Sequence, residues 1–183
     1  MTKKIFTIAA FLIFIHTAYS QALSSDTLHW VDYKTLSWTD FKGDTIDIPG
    51  YSGQSMMVMF ANFRKASLFL PTKVNVVTVF DRKNSWAVKP ARTDAFLKYY
   101  QVEFDIYEVY TRRLRKDFES TKFGLDPNKV FQEKYNAALT ALSDRNKLYM
   151  KETKLGTDSD AVKSWETIIA KELAELKQFR QTK

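Results

Sequence analysis

The chain has 183 residues, 45% hydrophobic and 27% charged, with 28 Lys and Arg against 21 Asp and Glu and no Cys. That length is enough for one domain with a sizeable core, and the balance of apolar and charged residues excludes a disordered chain. Without Cys, thiol catalysis, disulfides and cysteine-ligated metals are excluded too.

The first twenty residues read as a signal peptide. Lys3 and Lys4 form a positive start, Ile5 to Ile15 is almost wholly apolar, and Ala18-Tyr19-Ser20 supplies the small residues of a cleavage site before Gln21. The apolar run is short of the ~20 residues that a spanning helix needs. No later segment is long and apolar enough to span. The remainder, 21–183, is expected as a single exported domain, periplasmic or extracellular, with no lipid-anchoring Cys. Removing Lys3 and Lys4 from the 28 basic residues leaves 26 against 21 acidic, a net of +5. The basic cluster Arg112-Arg113-Leu114-Arg115-Lys116 falls late in a helical stretch, where cations complement the helix dipole. In an exported protein it reads as a solvated helix end, and no nucleic acid is expected as a partner.

Residues 21 to about 35 read as an irregular lead-in. Ser55 to Phe63 and Thr72 to Phe80 are strand-length runs rich in Val, Met and Phe, and Ser85 to Val88 is a third, shorter one. Lys42-Gly43-Asp44, Pro49-Gly50, Pro71 and Arg82-Lys83-Asn84 mark turns. Beyond Pro90 the period changes. Thr93 or Asp94 caps a helix to about Glu119, and Asp126-Pro127 opens a second. Leu155-Gly156-Thr157 breaks it, and Asp158 or Ser159 caps a third helix carrying Trp165, Ile169 and Leu173. The expectation is one α+β domain: a small, mainly antiparallel sheet in the N-terminal half, packed on three C-terminal helices.

The first helix carries an anomaly. Phe96, Tyr99, Ile106, Tyr110, Leu114 and Phe118 recur at three to four residues as an apolar stripe, and Glu103 falls within it. A carboxylate on a buried face is costly unless paired or protonated. Tyr99, one turn earlier, is placed to donate a hydrogen bond to it.

The stretch Leu97-Lys98-Tyr99-Tyr100-Gln101-Val102-Glu103-Phe104-Asp105-Ile106, with the tail Arg112-Arg113-Leu114-Arg115, resembles the signature helix of a bacterial family, domain of unknown function 922, regarded as secreted zinc peptidases. Leu36-Ser37-Trp38-Thr39-Asp40-Phe41-Lys42-Gly43 resembles that family's opening motif. Ser85-Trp86-Ala87-Val88 resembles its Ser-Trp-Val strand, and Tyr149 to Gly156 its Tyr-x-x-x-Thr-x-His-Gly segment. The resemblance runs from about residue 36 to residue 176 and implies a zincin-like domain with its signature helix over about 93–119.

The departures fall where the chemistry sits. In an HExxH helix two His four residues apart bind one zinc, and the Glu serves as general base for the bound water. The family's first His position is Tyr99 here, its Glu position Tyr100, its second His position Glu103, and its third ligand position Leu155. The whole chain has two His, His16 within the expected signal peptide and His29 in the lead-in. Three His-rich ligands cannot be assembled from that inventory. No catalytic residue, metal or other cofactor is therefore expected.

Other enzyme classes lack material. Ser-His-Asp catalysis needs a positioned His, and there is no phosphate loop or dinucleotide fingerprint. The resemblance implies an exported, non-catalytic zincin-like domain, a pseudo-peptidase that binds a peptide, protein or glycan of the cell envelope. Its candidate binding residues are Tyr100, Gln101 and Glu103. The alternatives are a structural or assembly component of the envelope and a hydrolase using other residues, such as a carboxylate pair.

Overall fold

The computed structural model describes residues 26–32, 34–45, 52–65 and 72–181. The expected signal peptide and the turns at Pro49-Gly50 and Pro71 lie outside them.

The domain is α+β, with antiparallel sheet in its N-terminal half and three helices after it. Strands β1 (Thr27–His29), β2 (Gly53–Gln54), β3 (Met57–Arg64), β4 (Lys73–Asp81) and β5 (Trp86–Ala87) precede α1 (Asp94–Glu119), α2 (Pro127–Glu152) and α3 (Ser159–Glu175). The larger sheet has the order β1-β4-β3, and β2 pairs with β5 in a separate two-stranded ladder. The hairpin register runs from Met57 opposite Phe80 to Arg64 opposite Lys73.

One expectation changes here. The lead-in is not irregular throughout. Thr27-Leu28-His29 pairs with Asp81, Phe80 and Val79 along the edge of β4. Three residues are too few to show a period of two, so the strand left no pattern to read. Its role is to deliver Trp30 onto α1, where the indole Nε1 donates to Asp105 at 2.7 Å and the ring lies 4.9 Å from the Arg112 guanidinium.

All three helices start on side-chain caps. Thr93, Asp126 and Asp158 accept from the amides of Phe96, Lys129 and Ala161, each satisfying an amide that the first turn leaves free. Pro127 occupies the first turn of α2, where its missing N–H costs nothing.

Helix α1 is the spine. Met57, Met59, Val76 and Phe80 of the sheet share one core cluster with Val102, Phe104, Ile106 and Val109 of α1, and with Leu142, Tyr149, Trp165 and Ile169 of the other two helices. Because α1 meets strands on one side and helices on the other, its buried residues run well beyond one stripe, including Glu108, Thr111 and Arg112.

That last residue corrects the reading of the basic cluster. Arg112 is 1% exposed. It donates from Nε to Glu108 (3.0 Å), from one Nη to the Leu173 carbonyl (2.9 Å) and from the other to Asp32 (3.0 Å). Arg115 donates to the carbonyls of Val76 and Phe179 and to the same Glu108 oxygen. The other Glu108 oxygen accepts from Thr78 on β4 at 2.8 Å. The two arginines are internal clamps that tie β4, α1 and the end of α3 together.

The segment Leu36 to Gly43 is held against the end of β4. Ser37 and Asp40 form a reciprocal capping box around the short turn Trp38–Asp40. Asp40 is bonded to Arg82 at 2.9 Å, and the Gly43 amide donates to the Ser85 carbonyl at 2.8 Å. A side chain on Gly43 would sit 2.7 Å from the Lys83 carbonyl oxygen, so the crossing needs glycine.

Candidate functional site

The central turns of α1 present residues 99 to 106 to three different surroundings. Tyr99 and Glu103, four residues apart, lie on one face, Tyr100 on a second, and Gln101 with Asp105 on a third.

Tyr99 is packed between aromatic and backbone surfaces. Its ring stacks on Tyr149 of α2, with centroids 5.1 Å apart at 13°, and the Tyr149 hydroxyl donates to the Tyr99 carbonyl at 2.8 Å. From the other direction comes the turn between α2 and α3. A Cβ on Gly156 would lie 2.8 Å from Tyr99 Cγ, so this backbone approaches the ring as only glycine allows. Burial first, then Glu103 and Tyr100, push the Tyr99 hydroxyl well above the ordinary tyrosine range.

Tyr100 joins an aromatic cluster with Phe41 (5.1 Å) and Trp38 (6.3 Å, edge-on). Burial, with a contribution from Glu103, raises its hydroxyl to about 12. Glycine is again required beside it, because a Cβ on Gly53 of β2 would lie 2.9 Å from the Trp86 carbonyl oxygen as well as 2.8 Å from the Tyr100 hydroxyl oxygen.

Glu103 is 9% exposed. The expected bond from Tyr99 is not the one it makes. Ser55, after β2, donates to Oε2 at 2.7 Å, and Asn146 of α2 donates to Oε1 at 2.9 Å. The ring stack holds the Tyr99 side chain on Tyr149, and the two new donors come from elements distant in sequence. Burial raises the carboxyl above the ordinary range, and the two hydrogen bonds only partly oppose it.

Leu155, at the third ligand position of the family pattern, is 58% exposed. It follows Lys154 in a left-handed turn, with φ of +56° and +49°, a conformation that costs of order 1–2 kcal/mol for a residue with a Cβ. The backbone of this turn reaches Tyr99, and its leucine side chain is presented to solvent.

These four side chains do not fit a zinc ion. Two are phenols held neutral, one is an exposed hydrocarbon, and the one carboxylate has both oxygens occupied by donors. Among the described residues no three His, Cys, Asp or Glu side chains come together as a metal-binding group. His29 is exposed on β1.

Gln101 faces elsewhere. Its Oε1 accepts from the Leu36 amide at 2.7 Å, and its Nε2 donates to Asp105 Oδ1 at 2.8 Å. Here a groove of about 330 Å³ runs along α1, lined by Thr35 and Leu36, by Leu97, Lys98, Gln101, Val102 and Asp105, and by Glu166 of α3. At its rim Lys98 is paired with Glu166 at 3.0 Å. Burial raises Asp105 to about 6, opposed by the hydrogen bonds from Trp30 and Gln101. Of the three candidate binding residues, Gln101 lines this groove, while Tyr100 and Glu103 are buried in the core.

The sequence did not single out Ser55, Asn146, Trp30 or the pairing of Gln101 with Asp105. The last was within reach, since a carboxylate one turn after an amide on a largely apolar helix is a spacing that invites such a bond. The others join elements 43 to 75 residues apart, which no local pattern encodes.

No family model, no curated protein and no solved structure matches this chain.

Proposed function

We propose that this protein is an exported, non-catalytic zincin-like domain of the domain-of-unknown-function-922 type, a pseudo-peptidase that binds a peptide, protein or glycan in the cell envelope. The observation that carries the reading is what occupies the ligand positions of the signature helix. Tyr99 is stacked on Tyr149, Tyr100 is packed on Phe41, and Glu103 is bonded to Ser55 and Asn146. On this helix the three side chains at those positions are committed to holding the fold, and the fourth position, Leu155, presents an exposed hydrocarbon.

Export rests on the charged, apolar and small-residue pattern of residues 1–20. No helix among the described residues is long and apolar enough to cross a membrane. A binding role is supported by the groove beside the signature helix, which is mostly apolar with a few polar groups converging on it, as ligand sites are.

The test is metal content. The purified chain is exposed to zinc, desalted, and analysed for zinc by elemental mass spectrometry. The expected result is no retained zinc. One zinc per chain, lost on Glu103→Ala, would overturn the reading and make the protein an unusual metalloenzyme.

A further inference from the structure

Half-buried Asp105 differs from the two buried acids of the same helix. Glu103 has a donor on each oxygen, and Glu108 is bonded to two guanidinium groups. On Asp105, both donors, Trp30 Nε1 and Gln101 Nε2, go to the same oxygen, Oδ1. Among the described residues Oδ2 accepts no hydrogen bond. The charged groups on neighbouring turns are Asp94, Lys98 and Glu108 of α1, with Glu166 from α3. Lys98 is committed to Glu166, and the charges that act on Asp105 are Glu108 and Glu166, both of its own sign. Asp105 is half-buried and lines the groove, so its second oxygen, with no protein donor and no paired cation, is left to solvent and can take a cationic ligand.

The rest of the groove adds a second requirement. Leu36, Leu97 and Val102 give it apolar walls, so its occupant carries hydrocarbon alongside its positive charge. A hydrated divalent cation offers none and needs several convergent oxygens. An arginine fork prefers both oxygens of a carboxylate, and Oδ1 is already used twice. A lysine ammonium is a point charge that a single oxygen can receive, and its four-carbon stem suits apolar walls.

We propose that this groove binds a lysine side chain of a partner peptide, with the ammonium on Asp105 Oδ2 and the stem along Leu36, Leu97 and Val102. Trp30 and Gln101 act as positioning residues. Both engage Oδ1 and leave Oδ2 free of protein donors, and Gln101 also fixes the groove wall by accepting from the Leu36 amide. The assignment rests on the reading of this chain as a binding domain and gives that domain a ligand class.

The experiment titrates a capped pentapeptide, lysine flanked by two alanines on each side, into the ¹⁵N-labelled chain at pH 7.5. Versions with norleucine or arginine in place of lysine serve as controls. The reporters are the Trp30 indole N–H, the Leu36 amide and the Gln101 side-chain amide. Saturable shifts are expected for the lysine peptide, with about tenfold weaker binding for both controls, the size of one charge-assisted hydrogen bond. Asp105→Asn keeps an oxygen to accept from Trp30 and Gln101 and removes the charge, so the shifts are expected to be lost. Lowering the pH to 5 on the unaltered chain is expected to weaken binding by a similar factor, which tests the charge without any substitution. Equal binding of the norleucine peptide, undiminished binding by Asp105→Asn or at pH 5, or shifts confined to other residues would overturn the proposal. Retained zinc in the elemental analysis would refute the non-catalytic reading without moving these resonances, so the two failures are distinguishable.

Discussion

The ring of Tyr149 lies parallel to that of Tyr99, 5.1 Å away, and its hydroxyl donates to the Tyr99 carbonyl. One residue therefore fills the space beside α1 and also bonds its backbone. Tyr149 is 0% exposed, and its other edge meets Trp165 of α3 at 5.3 Å. Removing only the hydroxyl with Tyr149→Phe is expected to cost about 1 kcal/mol, since the carbonyl keeps its helical hydrogen bond. Tyr149→Ala removes a packed ring and is expected to cost about 3–5 kcal/mol. Urea denaturation of the two variants measures both. Equal losses would mean that the hydroxyl, and not the stack, holds α2 to α1.

At Glu103 the two partners make opposite demands on a replacement. Glu103→Gln keeps one oxygen for a donor and adds an amide that can donate to Asn146 Oδ1, which is buried without a partner, once that side chain flips. It also removes a carboxyl whose ionisation burial opposes. The variant is expected to be at least as stable as the parent at pH 7.5. Glu103→Leu removes the acceptor for both Ser55 and Asn146, and is expected to cost roughly 2–3 kcal/mol. Thermal denaturation at neutral pH checks the order. A stabilised leucine variant would mean that the two donors are not confined to this site.

Much of the framework was legible because it is local. Caps at Thr93, Asp126 and Asp158, the proline at the start of α2 and the break at Gly156 announce themselves within four residues. The anomaly at Glu103 was legible too, since a carboxylate in an apolar stripe is visible without coordinates. Its partners were not, because Ser55 and Asn146 lie 48 and 43 residues away. The basic tail was misread for a related reason. Five consecutive positions carry four cations, and composition says solvent, yet Arg112 and Arg115 are drawn inside by Glu108 and by free carbonyl groups at the end of α3. Charge alone does not tell a solvated arginine from a clamp.

Glu108 is the anion on which that clamp depends. It is 2% exposed and meets both guanidinium groups at 3.0 Å. Glu108→Ala would leave two partly or wholly buried cations facing each other across the vacated space, and is expected to cost about 3–5 kcal/mol. Arg112→Lys is expected to be poorly tolerated, because an ammonium cannot meet Glu108, Asp32 and the Leu173 carbonyl from one plane. Urea midpoints are the measurement. A Glu108→Ala loss below about 1 kcal/mol would show that water reaches the pair and that it behaves as a surface bridge.

Asp105 sets stability and binding against each other. Its carboxyl is raised to about 6 in the fold from an ordinary value of 3.8, first by burial. Between those two values the native state holds a proton that the unfolded chain has already released. Stability due to this group therefore falls as pH rises from about 4 to 6, and the cost stays in full above 6. Asp105→Asn is neutral throughout and keeps an acceptor for Trp30 and Gln101. It is expected to match the parent near pH 4 and to exceed it by about 1–3 kcal/mol at pH 7.5, from a shift of roughly two units at 1.36 kcal/mol each, reduced for partial exposure. Denaturation of both chains across pH 4 to 8 isolates the difference, because every other group titrates in both. A constant gap across that range would show that the carboxyl is not held back from ionising. The substitution expected to stabilise the protein is thus the one expected to abolish lysine binding, as when a charge is kept in a fold for its ligand at the fold's expense.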